Sequence, residues 1–310
     1  MSVSTLSLSV WWARLGQARR RTFLGYLFLS PWLVGLLAFT LFPILAVFGL
    51  GFMEYGIFGR PTWIGLQNYR DILTNDRLFL TTLGNTLYFV ALSVPLSTVI
   101  GFLLAVALNT RLIGQTLFRT AFYVPSIVPQ VAAVLLFVWL FHPQIGLINF
   151  ALDLLGLEGP NWLGRPQWAK PAIVIMGLWG VGGGMIIYLA GLQSIPQHLY
   201  EAAEIDGATE MRRFLMITIP LMTPTLFYNL IIGIIGSFQV FVTAYVATQG
   251  GPLNSTLFYV LYLYRYGFEE FRLGYASALA WILFLLVLAL TVVVFRSSSS
   301  WVYYESGGER

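Results

Sequence analysis

Cysteine is absent from this 310-residue chain and charged side chains make up 10% of it, against roughly 25% in an average soluble domain. The missing thiols exclude disulfides, thiolate catalysis, iron–sulfur clusters and cysteine-based zinc sites together, and leave the redox compartment unspecified. Lysine occurs once, at Lys170 in Ala169-Lys170-Pro171, so no Gly-Lys-Ser/Thr phosphate loop is present and any nucleotide drive must come from a partner. The two histidines, His142 and His198, are expected on opposite sides of the membrane, and His198 has only Glu201 at helical spacing, too few ligands for a metal site. A net charge of +4 is too thin for nucleic-acid binding. Asp, Glu, Lys and Arg are missing from the interiors of the apolar runs, so a mid-bilayer proton relay has no candidate. A sodium-coupled carrier using carbonyls of broken helices survives that argument.

What is abundant is apolar length: 58% of residues are hydrophobic. A bilayer core about 30 Å thick needs roughly 20 apolar helical residues. Six runs meet or approach that, and predict helices near 23–52, 79–108, 117–141, 171–193, 215–247 and 274–296. The polar Gly/Pro stretch from Thr248 to Asn254 closes the fifth, and Ser255 to Tyr264 is too short to cross. Strand alternation is absent, which argues against a β-barrel. Tyr259, Tyr262, Tyr264 and Tyr266 read as an interfacial aromatic belt. Arg14, Arg19, Arg20 and Arg21 precede the first span without an acid, placing the N-terminus on the cytoplasmic side. Arg20-Arg21 also resembles a twin-arginine export signal, but the run that follows is long enough to span, lacks a cleavage site, and is followed by five more spans. With six spans the C-terminus is cytoplasmic too, and ten of the seventeen positive charges fall on that side. Residues 1–22 form the N-terminal cytoplasmic segment, 23–296 the membrane domain and 297–310 the cytoplasmic tail.

The densest charge cluster lies between the fourth and fifth spans, over 196–214. Pro196 suits a first helical turn, Leu199, Ala202, Ala203 and Ile205 form an apolar side, and Gly207 can take the positive φ that ends a helix. The expectation is helix, glycine turn, helix, with Asp206 capping the second, which enters the membrane near Pro220 and Pro224 with a bend. A merely solvated loop explains the polarity; it does not explain adjacent alanines with nothing of their own chain to cover them. Small side chains beside an acid on a short projecting helix suit docking into a partner's groove.

A second pattern lies inside the spans. Asn229, Gly233 and Ser237 recur at i, i+4 and i+8, with Gln239 nearby, and the fourth span carries Trp179, Gly180, Gly183 and Gly184. Close helix packing through small residues and a substrate pathway are both open readings.

Glu201-Ala202-Ala203 followed by Asp206-Gly207-Ala208, Phe214, Ile217 and Pro220 resembles the EAA signature of ABC-importer permeases of the maltose and glycerol-phosphate type. Similar family patterns appear at 65–69, Asn85-Thr86, Pro125 with Pro129, 146–149, 161–163, 189–192 and 248–252. Two departures stand out: Ile219 where Leu usually precedes the proline, and Val242 after Phe241 where an acid is common. The resemblance implies an all-α integral membrane permease with six transmembrane helices and a cytoplasmic coupling helix between the fourth and fifth. In it Glu201 pairs with a basic group of an ATPase, Ala202 and Ala203 allow close approach, and Asp206 and Gly207 shape the turn. The implied complex holds a second permease subunit, a dimeric ABC ATPase that binds ATP and Mg, and an extracytoplasmic solute-binding protein, in a bacterial or archaeal plasma membrane. The implied substrate is a sugar, oligosaccharide or polyol, and uncharged donors beside aromatics suit a neutral one. The chain itself is expected to hold no cofactor and to be no enzyme. An ion-coupled secondary transporter and an intramembrane enzyme are the alternatives; the enzyme lacks clustered His, Asp or Glu.

Overall fold

The computed structural model describes residues 17–57, 59–110 and 113–303. Readings that fall on residues 1–16, including Arg14, and on 304–310 of the tail lie outside the described residues. Helix α1 (Gln17–Leu36) runs through a π-helical turn (Leu37–Leu41) into α2 (Phe42–Leu50). A short helix α3 (Gln67–Thr74) leads into α4 (Arg77–Leu108), followed by α5 (Gln115–Ile127), α6 (Gln130–Leu140) and α7 (Leu147–Leu154). Then come α8 (Pro166–Leu178), α9 (Gly182–Ser194), α10 (Gln197–Ile205) and α11 (Glu210–Arg213). A second π turn (Phe214–Thr218) joins α11 to α12 (Ile219–Phe238). The chain ends with α13 (Val242–Ala247), α14 (Tyr259–Tyr264), a third π turn (Arg265–Glu269) and α15 (Leu273–Ser298). Strands Met53–Glu54 and Thr62–Trp63 pair antiparallel as a small ribbon beside α15.

Among the described residues, four helical stretches are long and apolar enough to cross a membrane: Arg21–Leu50, Arg77–Leu108, Glu210–Phe238 and Leu273–Ser298. The expected third and fourth spans are bent pairs, α5 with α6 at 98° and α8 with α9 at 48°. The first bend follows from Pro129, which disfavours helical geometry at Val128, here extended at φ −67°, ψ 134°. The second falls at Trp179–Val181, just before Gly182, where a Cβ would collide with the Phe122 backbone of α5. The expected fifth span differs at its far end: α12 stops at Phe238, and Gln239–Phe241 is non-helical before α13. Nothing in the local sequence marks that stop. It is tertiary, since α13 packs on α6 and Gln130 Nε2 donates to Thr243 Oγ1 at 3.3 Å.

Helix α4 is the axis. Its 32 residues rise about 48 Å, and three buried clusters are strung along it. Phe79 and Phe89 join the largest, Val90 and Val94 meet Ile234 and Phe238, and Phe102, Ala105 and Leu108 meet Met185, Tyr188, Leu192 and Met222. Its final carbonyls are closed from the next helix, where Gln115 Nε2 and Arg119 Nη2 both donate to Leu108 O. By contrast no residue of Arg21–Leu50 is buried, and of that stretch α2 is what packs on α15.

The start of α4 is fixed by Asp76. Its Oδ1 accepts from the Leu78 and Phe79 amides at 3.0 and 3.2 Å, an N-cap. Its Oδ2 accepts from the Tyr262 and Tyr275 hydroxyls at 2.5 and 2.6 Å. Two residues expected in an aromatic belt are therefore core: Tyr262 is 3% exposed and Tyr259 is fully buried, donating to Leu279 O at 2.9 Å. Burial, and then the hydrogen bond to Asp76, push the Tyr262 hydroxyl well above the ordinary phenol range, so it remains a donor. About two and a half turns further along, Asn85 Nδ2 donates to Asn254 O and Leu257 O, and its Oδ1 accepts from Lys170 Nζ at 3.2 Å. Thr86 Oγ1 accepts from the Tyr259 amide at 2.9 Å. These bonds hold the 248–264 segment on α4. Replacing Asp76→Ala takes the carboxylate from the Tyr275 hydroxyl, leaves the Tyr262 hydroxyl only its 3.2 Å bond to the Tyr266 hydroxyl, and uncaps α4, which should cost about 3 kcal/mol. Chemical unfolding in detergent reads it; a loss below ~1 kcal/mol contradicts this role.

Candidate functional site

Pro196 sits as the N-cap of α10, one residue earlier than expected, and Gln197 opens the helix. At the other end Asp206 is the C-cap, with φ −74° and ψ 3°, and Gly207 follows at φ +74°. The Gly207 amide donates to Glu204 O at 3.0 Å and the Ala208 amide to Ala203 O at 2.9 Å. That pair of bonds is a Schellman closure. It uses Asp206 to end α10, so the expected cap of α11 passes to Thr209, whose Oγ1 accepts from the Arg212 amide at 3.4 Å. Both residues have capping side chains; only Thr209 lies beyond the left-handed glycine.

Leu199, Tyr200 and Ala203 of α10 are half-buried against the protein, whereas Glu201, Ala202, Ile205, Asp206 and Gly207 are exposed. Ile205 is 88% exposed, an apolar side chain at the tip of a projecting helix. Nothing lies within 4 Å of a Cβ added at Gly207, so its constraint is conformational. Two bonds tie α10 to the helix after it: the Tyr200 hydroxyl meets Thr218 Oγ1 at 2.9 Å, and Arg213 Nη1 donates to Glu204 Oε2 at 3.1 Å. His198 is exposed on the same helix, and His142 lies elsewhere, its Nδ1 accepting from the Gln144 amide.

The second site is a cavity of about 410 Å³ lined by Phe89 of α4, Gln130, Gly177, Gly233, Gly236, Ser237 and the 239–243 segment. Every break in the helices described above contributes to it: Gln130 follows the first, Gly177 precedes the second, and residues 239–241 are the third. Irregular backbone at membrane depth is tolerated where it is buried in protein or lines a cavity. Of the pathway candidates, Gly233, Ser237 and Gln239 line this space. Gly233 and Ser237 also pack on α4, a Cβ at Gly233 lying 3.6 Å from Val94 and Ser237 Oγ 3.4 Å from Ser93 Oγ. Trp179 packs edge-on to Phe137, Gly180 is exposed, a Cβ at Gly183 would face Ser126, and Asn229 donates to Thr225 O of its own helix. None of these four lines the cavity. Sequence reasoning passed over Gln130, Thr243 and Phe89. The signal for Gln130 was an amide directly after Pro129 inside an apolar run; Thr243 and Phe89 carried none. Val242, where the resemblance leads one to expect an acid, lines the cavity, and no charged side chain among the described residues does so.

A multi-helix membrane component with a projecting cap-closed helix at one connection and a cavity at its helix breaks is the class that this geometry defines. The chain belongs to the family of binding-protein-dependent transport system inner membrane components, which matches residues 97–299. It is a permease subunit of a binding-protein-dependent ABC importer, a prokaryotic inner-membrane protein whose family leaves ATP hydrolysis to a partner ATPase. It is 38% identical to the probable ABC transporter permease YesP of Bacillus subtilis, over 94% of this chain and 95% of that one. It is 34% identical to the arabinooligosaccharides transport system permease AraP of the same organism, over 89% and 88%. With the trehalose/maltose transport system permease MalF of Thermococcus litoralis it shares 36% over 89% and 94%. Among solved structures it resembles a chain of a bacterial alginate ABC transporter in complex with an alginate pentasaccharide-bound periplasmic protein. That likeness has a TM-score of 0.81 at 25% identity, over 92% of this chain and 97% of the other.

The turn after α10 supplies a test of local geometry. Gly207→Val forces a β-branched residue into the left-handed region at a cost of about 1–2 kcal/mol, while Gly207→Asn is nearly neutral. Amide exchange at Gly207 and Ala208 reads the difference, and equal protection in both variants contradicts the closure described.

Proposed function

We propose that this permease forms half of the path for a neutral saccharide, oligosaccharide or polyol, with its substrate passing through the cavity between α4, α6, α8, α12 and α13. The observation that carries the reading is the convergence of three helix breaks on an uncharged, amide- and hydroxyl-lined space. Gln130, Ser237, Gln239 and Thr243 offer donors and acceptors for hydroxyl groups, and Phe89 and Phe241 offer faces for the apolar side of a sugar ring. Broken helices also leave main-chain amides and carbonyls without helical partners, which a polyhydroxyl ligand can satisfy. Trp179, Gly180, Gly183 and Asn229 stay in the pathway reading as packing around this space. The carbohydrate names of the relatives support the substrate class.

The α10–α11 loop faces the cytoplasm in this proposal, as do both termini, and α10 is the coupling helix. Its exposed edge of Glu201, Ala202 and Asp206 enters a cleft of the ATPase, where Glu201 meets a basic group and the alanines permit close approach. A second, related permease, two ATPase copies binding ATP and Mg, and an extracytoplasmic solute-binding protein complete the importer. Closure of the ATPase then moves α10 and rocks the helices between inward- and outward-facing arrangements.

Reconstitution of the complete importer in proteoliposomes tests both halves. Glu201→Lys reverses a charge at the docking edge and should lower binding-protein-stimulated ATP hydrolysis about thirtyfold or more, while the protein still inserts. Wild-type hydrolysis and transport in that variant contradict docking through α10. Gln239→Ala should lower uptake of a neutral saccharide about tenfold through loss of a desolvated hydrogen bond. Preferred uptake of an anion such as glycerol 3-phosphate, or uptake that follows an ion gradient without ATP, overturns the substrate reading.

A further inference from the structure

The connection from α10 to α12 contains an obvious soft point. Residues 206–209 link two helices through one left-handed glycine with open space around it. A push on α10 would be absorbed by rotation about this turn unless something crosses it. Two side-chain bonds do so. The Glu204–Arg213 bridge is solvent-facing, with the Glu204 side chain 72% exposed, and surface pairs of this kind hold little. The other bond runs from the Tyr200 hydroxyl to Thr218 Oγ1 at 2.9 Å, and Thr218 is buried, 7% exposed.

The place where that bond lands is unusual. Thr218 closes the π-helical turn Phe214–Thr218, whose terminal amide, that of Ile219, donates to Phe214 O. Pro220 supplies no amide to the turn before it, which removes one of the α-type bonds that would tighten this stretch. The π turn before Pro43, at Leu37–Leu41, has the same arrangement. Single π turns within α-helices recur at functional sites and bend the helix locally. On its inner side this turn is held in the bundle: the Phe214 ring stacks on Phe102 at 6.1 Å, and Phe102 meets Tyr188 edge-on at 5.9 Å.

We propose that the Tyr200–Thr218 hydrogen bond is a strap that makes α10 and the wide turn above α12 one rigid body, so that displacement of α10 is delivered to α12 rather than lost at Gly207. The proposal rests on α10 being the coupling helix. Tyr200 is then a positioning residue: it acts through Thr218, and Glu201 and Ala202 on the exposed edge remain the contact with the ATPase. The Glu204–Arg213 bridge is a weak second brace.

The chain has no cysteine, so two introduced thiols can be spin-labelled without a background. Ile205→Cys places one label on α10 and Tyr228→Cys places the other on α12, at positions 88% and 55% exposed. Their separation is read by pulsed electron resonance in the assembled importer, without nucleotide and with ATP plus vanadate. The strap gives a single narrow distance that is the same in both states. Tyr200→Phe keeps the ring and removes the hydroxyl; it should add a second, shifted population with ATP plus vanadate, as should Thr218→Val. Thr218→Ser should restore the single distance, and the double variant should be no broader than either single one. A narrow, unchanged distance in Tyr200→Phe overturns the strap, as does a wild-type distance that shifts with nucleotide. Failure of the coupling reading shows separately, as normal ATPase assembly and stimulation in Glu201→Lys.

Discussion

A main chain in lipid has no water to bond with, and this requirement governs where the chain can leave helical geometry. It departs at three places inside its apolar runs: Val128–Pro129, Trp179–Val181 and Gln239–Phe241. Residues at or beside all three line the same cavity. The arrangement makes energetic sense in one direction only. Each break frees backbone donors and acceptors that hydrocarbon would leave unsatisfied at a cost of several kcal/mol; local turns rebond some of them, as from the Trp179, Val181, Gln239 and Val240 amides, and the breaks lie beside a protein-lined cavity rather than lipid.

The two ends of α4 are organised by different chemistry. At its start a single carboxylate, Asp76, accepts from two amides and two tyrosine hydroxyls, and Asn85 and Thr86 add a set of bonds to the backbone of 254–259. That end is a hydrogen-bonded lattice. At its finish the helix is held by apolar packing of Phe102, Ala105 and Leu108 against α9 and α12, where Gly191 allows approach so close that a Cβ would lie 2.7 Å from Thr225 Oγ1. Packed apolar faces can slide and reseat with fewer specific bonds to break, and the connection through α10 and α11 lies at this end.

Much of this was legible in the residues. The apolar runs located every long helix, because a bilayer-sized stretch without charge has few other readings. The Glu201–Ala208 pattern located α10 and its glycine closure, but the apolar side read from Leu199, Ala202, Ala203 and Ile205 is split, with Leu199 and Ala203 half-buried against the protein and Ala202 and Ile205 exposed. The 98° bend at Pro129 was not read from the sequence, which gave one helix over 117–141, because the length of the apolar run outweighed the proline that disfavours helical geometry at Val128. What could not be read depended on distance in the chain. Tyr262 and Tyr275 lie 186 and 199 residues from Asp76, so the tyrosines looked interfacial when two are core. The stop at Phe238 carries neither glycine nor proline; it comes from α13 packing on α6. The exchange of Asp206 for Thr209 as a cap was a competition between two suitable residues, decided by the Schellman bonds that use Asp206 first. For the cavity, a periodic stripe on one helix found Gly233 and Ser237, whereas Phe89, Gln130 and Thr243 are brought in from three other elements.

The first long helix draws nothing from this lattice. None of the residues from Arg21 to Leu50 is buried, and only α2 packs on the bundle, so the α1 part of that segment is held by its own partition from water into hydrocarbon, the first stage of a two-stage assembly. Being synthesised before any of its neighbours, it can be threaded and oriented by the translocon with no help from the bundle. Fraying of α1 would leave the buried clusters untouched, which separates the question of how this chain enters a bilayer from the question of what keeps it folded there.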